Sequence, residues 1–599
     1  MVNGCSFVFA DFEFGSTPGE RPVPRCVVLR RHPTGESYRV WLDGSGAVPC
    51  PIHFDENTVL VAYFASAEVS CFQALGWPIP KRILDPYAEF RALTNGRKLP
   101  HGNGLLGALL YFGLEAGDAI EKQAMRDLAL AGGPYTDEDC AALLAYCEAD
   151  VLATERLFGT MRDRIDFERA LVRGSFMGSV GRMQHVGVPI DTALLGRFDQ
   201  HWESIRRDIR AEANKEFGVY EDEGFREHLF AEYLRTHAIA WQKHPTGRLC
   251  LDDDTFRAMA LVHPRLRQLQ DAKRFLAQTR PLDVAVGSDG RNRALLSPFG
   301  SRTGRNQPST STFIFGRPSW MRGLVTPSPG RILAYIDYSQ QEFGIAAALS
   351  GDSAMQTAYL SGDPYLEFAK QSGAIPRDAT KESHRDAREQ FKACVLGVLY
   401  GMGATTLAYR IGRSEAHAAE LLMLHRRTYR RFWEWSQAVA DTARLRKHIV
   451  ATFGWPLFVD ANTKTSTLKN FPMQANGAEM LRIACILMHE RGIEVCAPVH
   501  DAVLIEAGES EAGPAVHEAQ RAMGDASRIV LGGFELRSDS KVLRAGDRFL
   551  EPRGKPMWQR MEALLARTEA ARARHGTTGG AHTSTCSVSS ISSERDLQP

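Results

Sequence analysis

The chain has 599 residues, of which 44% are hydrophobic and 24% charged, and its formal net charge is +1. That composition excludes a disordered or collagen-like chain and allows several domains with cores of their own. It also removes bulk basicity as an argument for nucleic-acid binding, which would have to come from charge separated along the chain.

The eleven cysteines form neither a Cys-x-x-Cys pair nor a zinc-like Cys/His spacing, which points to free thiols in a reducing, cytoplasmic compartment. No apolar run is long enough to cross a bilayer, and the N-terminal apolar segment meets Asp11 too soon for a signal peptide. No membrane partner is expected.

In chain order, Cys5-Ser-Phe-Val-Phe-Ala-Asp-Phe-Glu13 reads as a strand that ends in two carboxylates. Asp11 and Glu13 are two apart, so on an extended chain they share a face and can share a cation. A solvated strand end is the bland alternative. Residues 137–158 read as a helix with Thr136 or Asp137 as its N-cap, and Tyr146 and Asp150, four apart, share one of its faces. From 167 to 298 the pattern is long helices rich in Arg, Glu and Leu, broken by His244-Pro-Thr-Gly247 and Gly287-Ser-Asp-Gly290. The loop Gly300-Ser-Arg-Thr-Gly-Arg305 has the glycines and cations to approach a nucleic-acid backbone closely.

Residues 331–342 hold the centre of the argument. Ile332, Leu333, Ala334, Tyr335 and Ile336 form a short apolar run suited to a buried strand, and Asp337 ends it. A carboxylate there is costly to desolvate unless it is paired or bound to a cation, although an ordinary turn-capping Asp is the simpler reading. In residues 388–401, Arg388, Lys392, Leu396 and Tyr400 trace one helix face. Its first half carries two cations suited to a triphosphate and its second half an apolar and an aromatic side chain suited to a base and sugar. Basic clusters at 425–431 and 444–448 read as solvated helix faces or binding surfaces. Residues 495–507 read as a β-hairpin with His500 and Asp501 at its tip, offering a second carboxylate. Beyond Leu565 the composition turns to Gly, Ser, Thr and Ala, and a disordered tail is expected over 566–599.

Three of these segments, Asp337-Tyr-Ser-Gln-Gln-Glu342, Arg388-x3-Lys392-x7-Tyr400-Gly and Val499-His-Asp501, occur in the order and spacing that resembles the A, B and C motifs of family A DNA polymerases. Thr303-Gly304-Arg305 and Asn470-Phe-Pro-Met-Gln474 add to the likeness. The N-terminal segment resembles DnaQ-like 3′–5′ exonucleases, with Asp11, Glu13, Glu68 and Asp150 as the carboxylate set and Tyr146 orienting water. The resemblance implies a multidomain α/β fold: an RNase H-like exonuclease over 1–165 and a right-hand polymerase over 166–565, with thumb about 195–298, fingers about 352–432 and palm the remainder. It implies primer-template DNA, dNTPs and single-stranded 3′ ends as partners, with accessory replication proteins unspecified. It further implies two magnesium ions per active site, with manganese as a substitute, held by Asp337 and Asp501 in one and by Asp11, Glu13, Glu68 and Asp150 in the other. Lys392 and Arg388 would bind the triphosphate, Tyr400 and Leu396 would pack near the nascent pair, and Glu342 would lie under the sugar. Arg305, Asn470, Gln474 and His500 would touch the primer, the nucleotide or the minor groove.

Four positions depart from the family pattern. Phe64 stands where an Asn is usual, Tyr365 where a His touches the triphosphate, Leu396 where an aromatic residue is usual, and Ala502 where a Glu follows the motif C Asp. No N-terminal 5′ nuclease segment is expected before the exonuclease-like segment, a layout that resembles phage or mobile-element replicative enzymes. Competing readings are a single-subunit RNA polymerase, an exonuclease with a degenerate polymerase half, and a non-enzymatic DNA-binding protein. Primer extension comparing dNTPs with rNTPs separates them.

Overall fold

The strand expected at the N-terminus is β1 (Ser6–Gly15), followed by β2 (Val23–His32), β3 (Ser37–Trp41), β4 (Thr58–Val61) and β5 (Arg82–Leu84) in a computed structural model that describes residues 5–577 apart from 43, 45–47, 117–118 and 278–283. The five form one sheet in the order β3-β2-β1-β4-β5; β1 runs antiparallel to β2 and parallel to β4. Its alternation sorts the side chains. Phe7 and Phe9 bury one face against Phe158, with ring centroids 5.3 and 5.8 Å away, and Phe12 packs on Phe72 on the other.

Helices that cover this sheet or extend from it include α1 (Ser66–Ala74), α2 (Ala119–Ala131), α3 (Asp137–Met161) and α4 (Phe167–Val186). α3 starts where its sequence says it should, with a reciprocal cap in which Thr136 Oγ1 accepts from the Asp139 amide at 3.1 Å and Asp139 Oδ2 accepts from the Thr136 amide at 2.9 Å. Such a cap is worth about 1 kcal/mol. α4 lies directly on β5 and α1, and glycine makes that approach possible: a Cβ on Gly174 would sit 1.8 Å from the Ile83 carbonyl oxygen. Arg173 of α4 is buried and reaches Glu89 through two hydrogen bonds of 2.6 and 2.7 Å, so neither buried charge is left unpaired.

The second sheet is four-stranded, made of β6 (Arg331–Tyr338), β7 (Glu494–Val499), β8 (Ala502–Gly508) and β9 (Ser538–Leu543) in the order β7-β8-β6-β9, all antiparallel. The apolar run read from the sequence is its core: Ile332, Leu333, Ala334 and Ile336 are fully buried, as are Val503, Leu504 and Ile505 opposite them. The helices that matter for the site are α5 (Gln341–Ser350), α6 (Arg385–Leu399), α7 (Glu415–Thr428), α8 (Arg430–Arg446) and α9 (Thr465–Glu490).

Both sheets belong to one compact unit, made of Met1–Asp191, Val284–Pro318 and Val325–Phe549. A second unit comprises Thr192–Asp283, Ser319–Leu324 and Leu550–Pro599 and is helical, with Thr192–Glu216, Leu266–Leu276 and Lys555–Thr577 among its helices. Two expectations change here. The stretch 284–298, expected with the thumb, belongs to the first unit, where Asn292 pairs with Val188. The tail expected from 566 is helical as far as Thr577, and 578–599 lie outside the described residues. Beyond 566 its polar residues find partners: Arg567 Nη2 reaches Asp208 Oδ2 at 2.8 Å, and Arg197 Nη2 reaches Glu569 Oε2 at 2.8 Å.

Candidate functional site

Asp337 is the penultimate residue of β6 and stands directly opposite Ala502 on β8 and Asp539 on β9. Residues paired this way have Cβ atoms about 5 Å apart, so Asp337 and Asp539 present like charges side by side. Asp501 sits in the two-residue turn between β7 and β8, where His500 takes a left-handed conformation, φ 58°, and is exposed at the tip. Burial, then Asp501, then Asp539 push the Asp337 carboxyl up to about 6. A cation placed among these groups would relieve that repulsion. Asp501 is already engaged by positive and polar groups. Arg305 Nη2 donates to its Oδ1 at 2.7 Å, and the buried Gln341 amide, with its nitrogen turned inward, lies 3.3 Å from both oxygens.

The helix face predicted from Arg388 to Tyr400 exists as α6, but its residues do different work. Tyr400 caps the helix and its hydroxyl donates to Glu342 Oε1 at 2.5 Å; Gln474 Nε2 donates to the same oxygen and to the Tyr400 hydroxyl, the latter at 3.3 Å. The other Glu342 oxygen is buried with no hydrogen-bond partner. Lys392 and Leu396 line a cleft of about 540 Å³ together with Glu389, Arg410 and Arg413. Arg388 is turned away from a phosphate role in this conformation, since Asp363 Oδ2 accepts from its Nε and Glu389 Oε1 accepts from its Nη1 at 2.6 Å. Tyr365 is buried, its hydroxyl pushed up to about 12 chiefly by that burial, and its ring lies 5.6 Å from Arg388 and 5.9 Å from Lys392. Asn470, expected at substrate, donates instead to the Leu399 carbonyl at 3.0 Å and so holds the C-terminal end of α6.

A second cluster lies at the first sheet. Asp11 and Glu13 share a face of β1, Glu68 comes from α1 and Asp150 from α3. Burial followed by mutual repulsion moves three of them: Glu13 rises to about 8 through burial, Cys26 and Asp150, Asp11 rises through burial, Glu13 and Asp150, and Glu68 through burial, Asp11 and Asp85. Glu68 is 4% exposed, and its Oε2 has no hydrogen-bond partner, which is the kind of buried atom a bound cation satisfies. Tyr146 donates to Asp150 Oδ2 at 3.0 Å, and Lys122 of α2 reaches the same oxygen at 3.1 Å. Among the described residues no group of three or more His, Cys, Asp or Glu is drawn together tightly enough to make a ready-formed ion cage.

Sequence reading missed three residues here. Asp539 lies on a polar strand with no apolar pattern, and Lys122 lies on a helix whose relation to β1 is set only by folding. Asp85 is the third: its carboxylate accepts from the amides of Phe64 at 3.1 Å, Ala65 at 2.9 Å and Tyr87 at 2.8 Å, fixing the turn that launches α1 and hence Glu68. The Asp85-Pro86 dipeptide was the available signal, because it marks a helix start.

Residues 192–532 match the family model of DNA polymerase family A. The chain belongs to that family. It is 24% identical over 470 residues to the thermostable DNA polymerase I of Thermus aquaticus, covering 72% of this chain and 54% of that protein. It is 23% identical over 438 residues to DNA polymerase I of Aquifex aeolicus, covering 67% and 75%, and 29% identical over 259 residues to the DNA polymerase of Mycobacterium phage D29, covering 41% of each. The chain therefore spans about half the length of the Thermus relative. Among solved structures, the POL domain of Pol1 from M. smegmatis, in complex with DNA primer-template and dNTP, superposes with a TM-score of 0.70 at 18% identity, covering 90% of this chain and 95% of that one. That likeness shows the family A fold. No helix among the described residues is long and apolar enough to cross a membrane.

Proposed function

We propose that this family A member is a template-directed DNA polymerase that extends a primer 3′ end with dNTPs, and that its N-terminal sheet is a 3′–5′ proofreading exonuclease. The observation that carries the polymerase reading is the placement of Asp337, Asp501 and Asp539 at one sheet end together with the Tyr400, Glu342 and Gln474 cluster.

Magnesium ions, with manganese as a substitute, supply charge neutralisation at the reacting phosphate when held by Asp337 and Asp501. Asp539 adds the carboxylate that Ala502 does not. The primer 3′-hydroxyl gives up its proton to solvent as its oxygen bonds to the α-phosphorus, the bond from that phosphorus to the bridging oxygen of the β-phosphate breaks, and pyrophosphate leaves. Lys392 binds the triphosphate from its cleft, and Arg388 joins it only by exchanging Asp363 and Glu389 for phosphate oxygens. Arg305 exchanges its pairing with Asp501 for contacts to the primer or nucleotide. Leu396 and Tyr400 pack against the incoming base and sugar, Glu342 closes the space a 2′-hydroxyl would need, Gln474 faces the minor groove, and His500 lies near the primer terminus.

At the first sheet, Asp11, Glu13, Glu68 and Asp150 would hold a second set of the same ions. Tyr146 keeps the attacking water oriented through Asp150, and the products are a nucleoside monophosphate and a shortened 3′ end. The sheet order, the unpaired Glu68 oxygen and the raised Asp11, Glu13 and Glu68 carboxyls support this reading. The deciding experiment is primer extension by the purified chain with dNTPs and with rNTPs, plus digestion of a mismatched 3′ end. Extension with dNTPs only is expected, and wild-type protein that binds primer-template but extends with neither nucleotide sinks the proposal.

A further inference from the structure

The basic run across 425–431 has no part in the chemistry above, yet it folds into a defined surface. α7 ends and α8 begins within it, and the two helices line an open groove of about 770 Å³ that includes Met423, Arg426, Arg427, Arg430, Trp433 and Glu434. Trp433 is fixed from behind, since its indole Nε1 donates to Nδ1 of the buried His425 at 3.0 Å. Burial pushes His425 down to about 3, so at neutral pH the ring is uncharged and can accept that bond. The Arg426 guanidinium lies 5.6 Å from the Trp433 ring centre. Arg430 is paired with Glu434 at 2.8 Å. Arg426 and Arg427 are exposed and in no ion pair among the described residues, and Asp441, the other carboxylate that lines the groove, accepts from Gln437 at 3.0 Å.

A solvated helix face explains exposed arginines but not an indole anchored to a buried histidine with a guanidinium held over it. Two unneutralised cations suit phosphates, and the guanidinium and indole planes offer bases a surface for stacking. Duplex DNA hides its base faces, so the surface fits a single strand. Its position agrees. α7 packs against α6, which carries Lys392 and Leu396, while α8 packs against α5 and α9, which carry Glu342 and Gln474. The groove thus lies on helices that pack directly against those of the candidate polymerase site.

We propose that this groove binds single-stranded DNA, namely the unpaired template ahead of the primer terminus, through phosphate contacts from Arg426 and Arg427 and base stacking on the Trp433 and Arg426 pair. The identity of the strand rests on the polymerase reading; the binding of a single strand does not.

The test uses the full chain, fluorescence anisotropy, and primer-templates that share one duplex but carry short or long 5′ template overhangs, with oligo(dT) alone as a third ligand. Wild type is expected to bind the long overhang about tenfold more tightly, and Arg426→Gln with Arg427→Gln should erase that advantage while leaving short-overhang binding and extension unchanged. The double change should also make the logarithmic salt dependence of oligo(dT) binding shallower by about 1.4, at about 0.7 per phosphate contact. Trp433→Leu should weaken oligo(dT) binding without altering that slope. Equal affinity of wild type for short and long overhangs, equal losses on both in the double variant, or displacement by an acidic peptide where oligo(dT) does not bind would overturn the proposal. Oligo(dT) binding is read without a primer, so a chain that never extends DNA defeats the polymerase reading and still tests this one.

Discussion

The Tyr400 hydroxyl donates to Glu342 Oε1 at 2.5 Å, joining residues 58 positions apart at the end of α6 and the start of α5. The bond ties the Glu342 carboxylate to the helix that carries Lys392 and Leu396, so under the proposed function nucleotide selection and helix position would be coupled through one contact.

The first prediction follows from that contact. Glu342→Ala should admit ribonucleotides, because it removes the side chain that a 2′-hydroxyl would meet, and Leu396→Tyr should admit dideoxynucleotides by supplying a hydroxyl where the 3′-hydroxyl is missing. A change of at least tenfold in each ratio is expected, equivalent to about 1.4 kcal/mol of differential transition-state binding. Single-nucleotide incorporation with deoxy-, dideoxy- and ribonucleotides measures it; an unchanged ratio for either variant removes that residue from the sugar.

A second prediction separates the two carboxylate clusters. Asp337→Ala or Asp501→Ala should abolish extension and leave digestion of single strands intact, and Asp11→Ala should do the reverse and raise misincorporation. Asp539→Asn should weaken manganese binding, read by electron paramagnetic resonance with no nucleotide present, and Ala502→Glu in the same chain should restore it. The reasoning is positional: 502 and 539 flank Asp337 from opposite strands. Loss of both activities together in a folded Asp337→Ala protein, or manganese binding unaffected by Asp539→Asn, would contradict it.

What the sequence made legible was local. The apolar run of β6 and the hairpin of β7 and β8 announce their carboxylates within a dozen residues, and the four-residue spacing of α6 announces its face. Asp539 escaped because its partner Asp337 lies about two hundred positions earlier and β9 reads Ser-Asp-Ser-Lys, with no alternation to mark a strand. The roles of Arg388 and Asn470 were obscured for a similar reason. Asp363 and the Leu399 carbonyl reach them only after the helices pack, and nothing in helical spacing reports who occupies a side chain's donors.

The third prediction concerns pH. Glu13 rises from 4.5 to about 8 and Asp85 from 3.8 to about 7, both chiefly through burial. The folded state therefore binds more protons than the unfolded state between the ordinary and raised values, and stability falls as pH rises through that window. In a chelator, the melting temperature should decline from about pH 4.5 toward pH 8. Added magnesium should flatten the curve by stabilising the ionised carboxylates, and Glu13→Gln should flatten it without metal. Identical slopes with and without magnesium would mean that no cation binds there.

The last prediction concerns Phe64, which takes a left-handed conformation, φ 69°, at the position where the exonuclease motif it resembles has Asn. For a bulky side chain that backbone costs roughly 1–2 kcal/mol, whereas Asn accepts it with little strain. Phe64 recovers part of the cost by packing edge-on against Tyr87, with ring centroids 4.9 Å apart, a contact worth about 1 kcal/mol. Its amide and that of Ala65 are held by Asp85 whatever side chain stands at 64, so the turn that places Glu68 does not depend on the ring. Phe64→Asn should thus shift stability by less than about 1 kcal/mol, since the strain relieved and the packing lost nearly cancel. Asp85→Ala should cost about 3 kcal/mol or more, because it leaves three amides without their acceptor. If the wild-type chain digests mismatched 3′ ends, Asp85→Ala should lower that digestion while extension persists, and Phe64→Asn should preserve or raise it. Denaturant unfolding and mismatch digestion on the same preparations check both halves. A Phe64→Asn protein as unstable as Asp85→Ala would show that the ring, and not Asp85, holds the turn beneath Glu68.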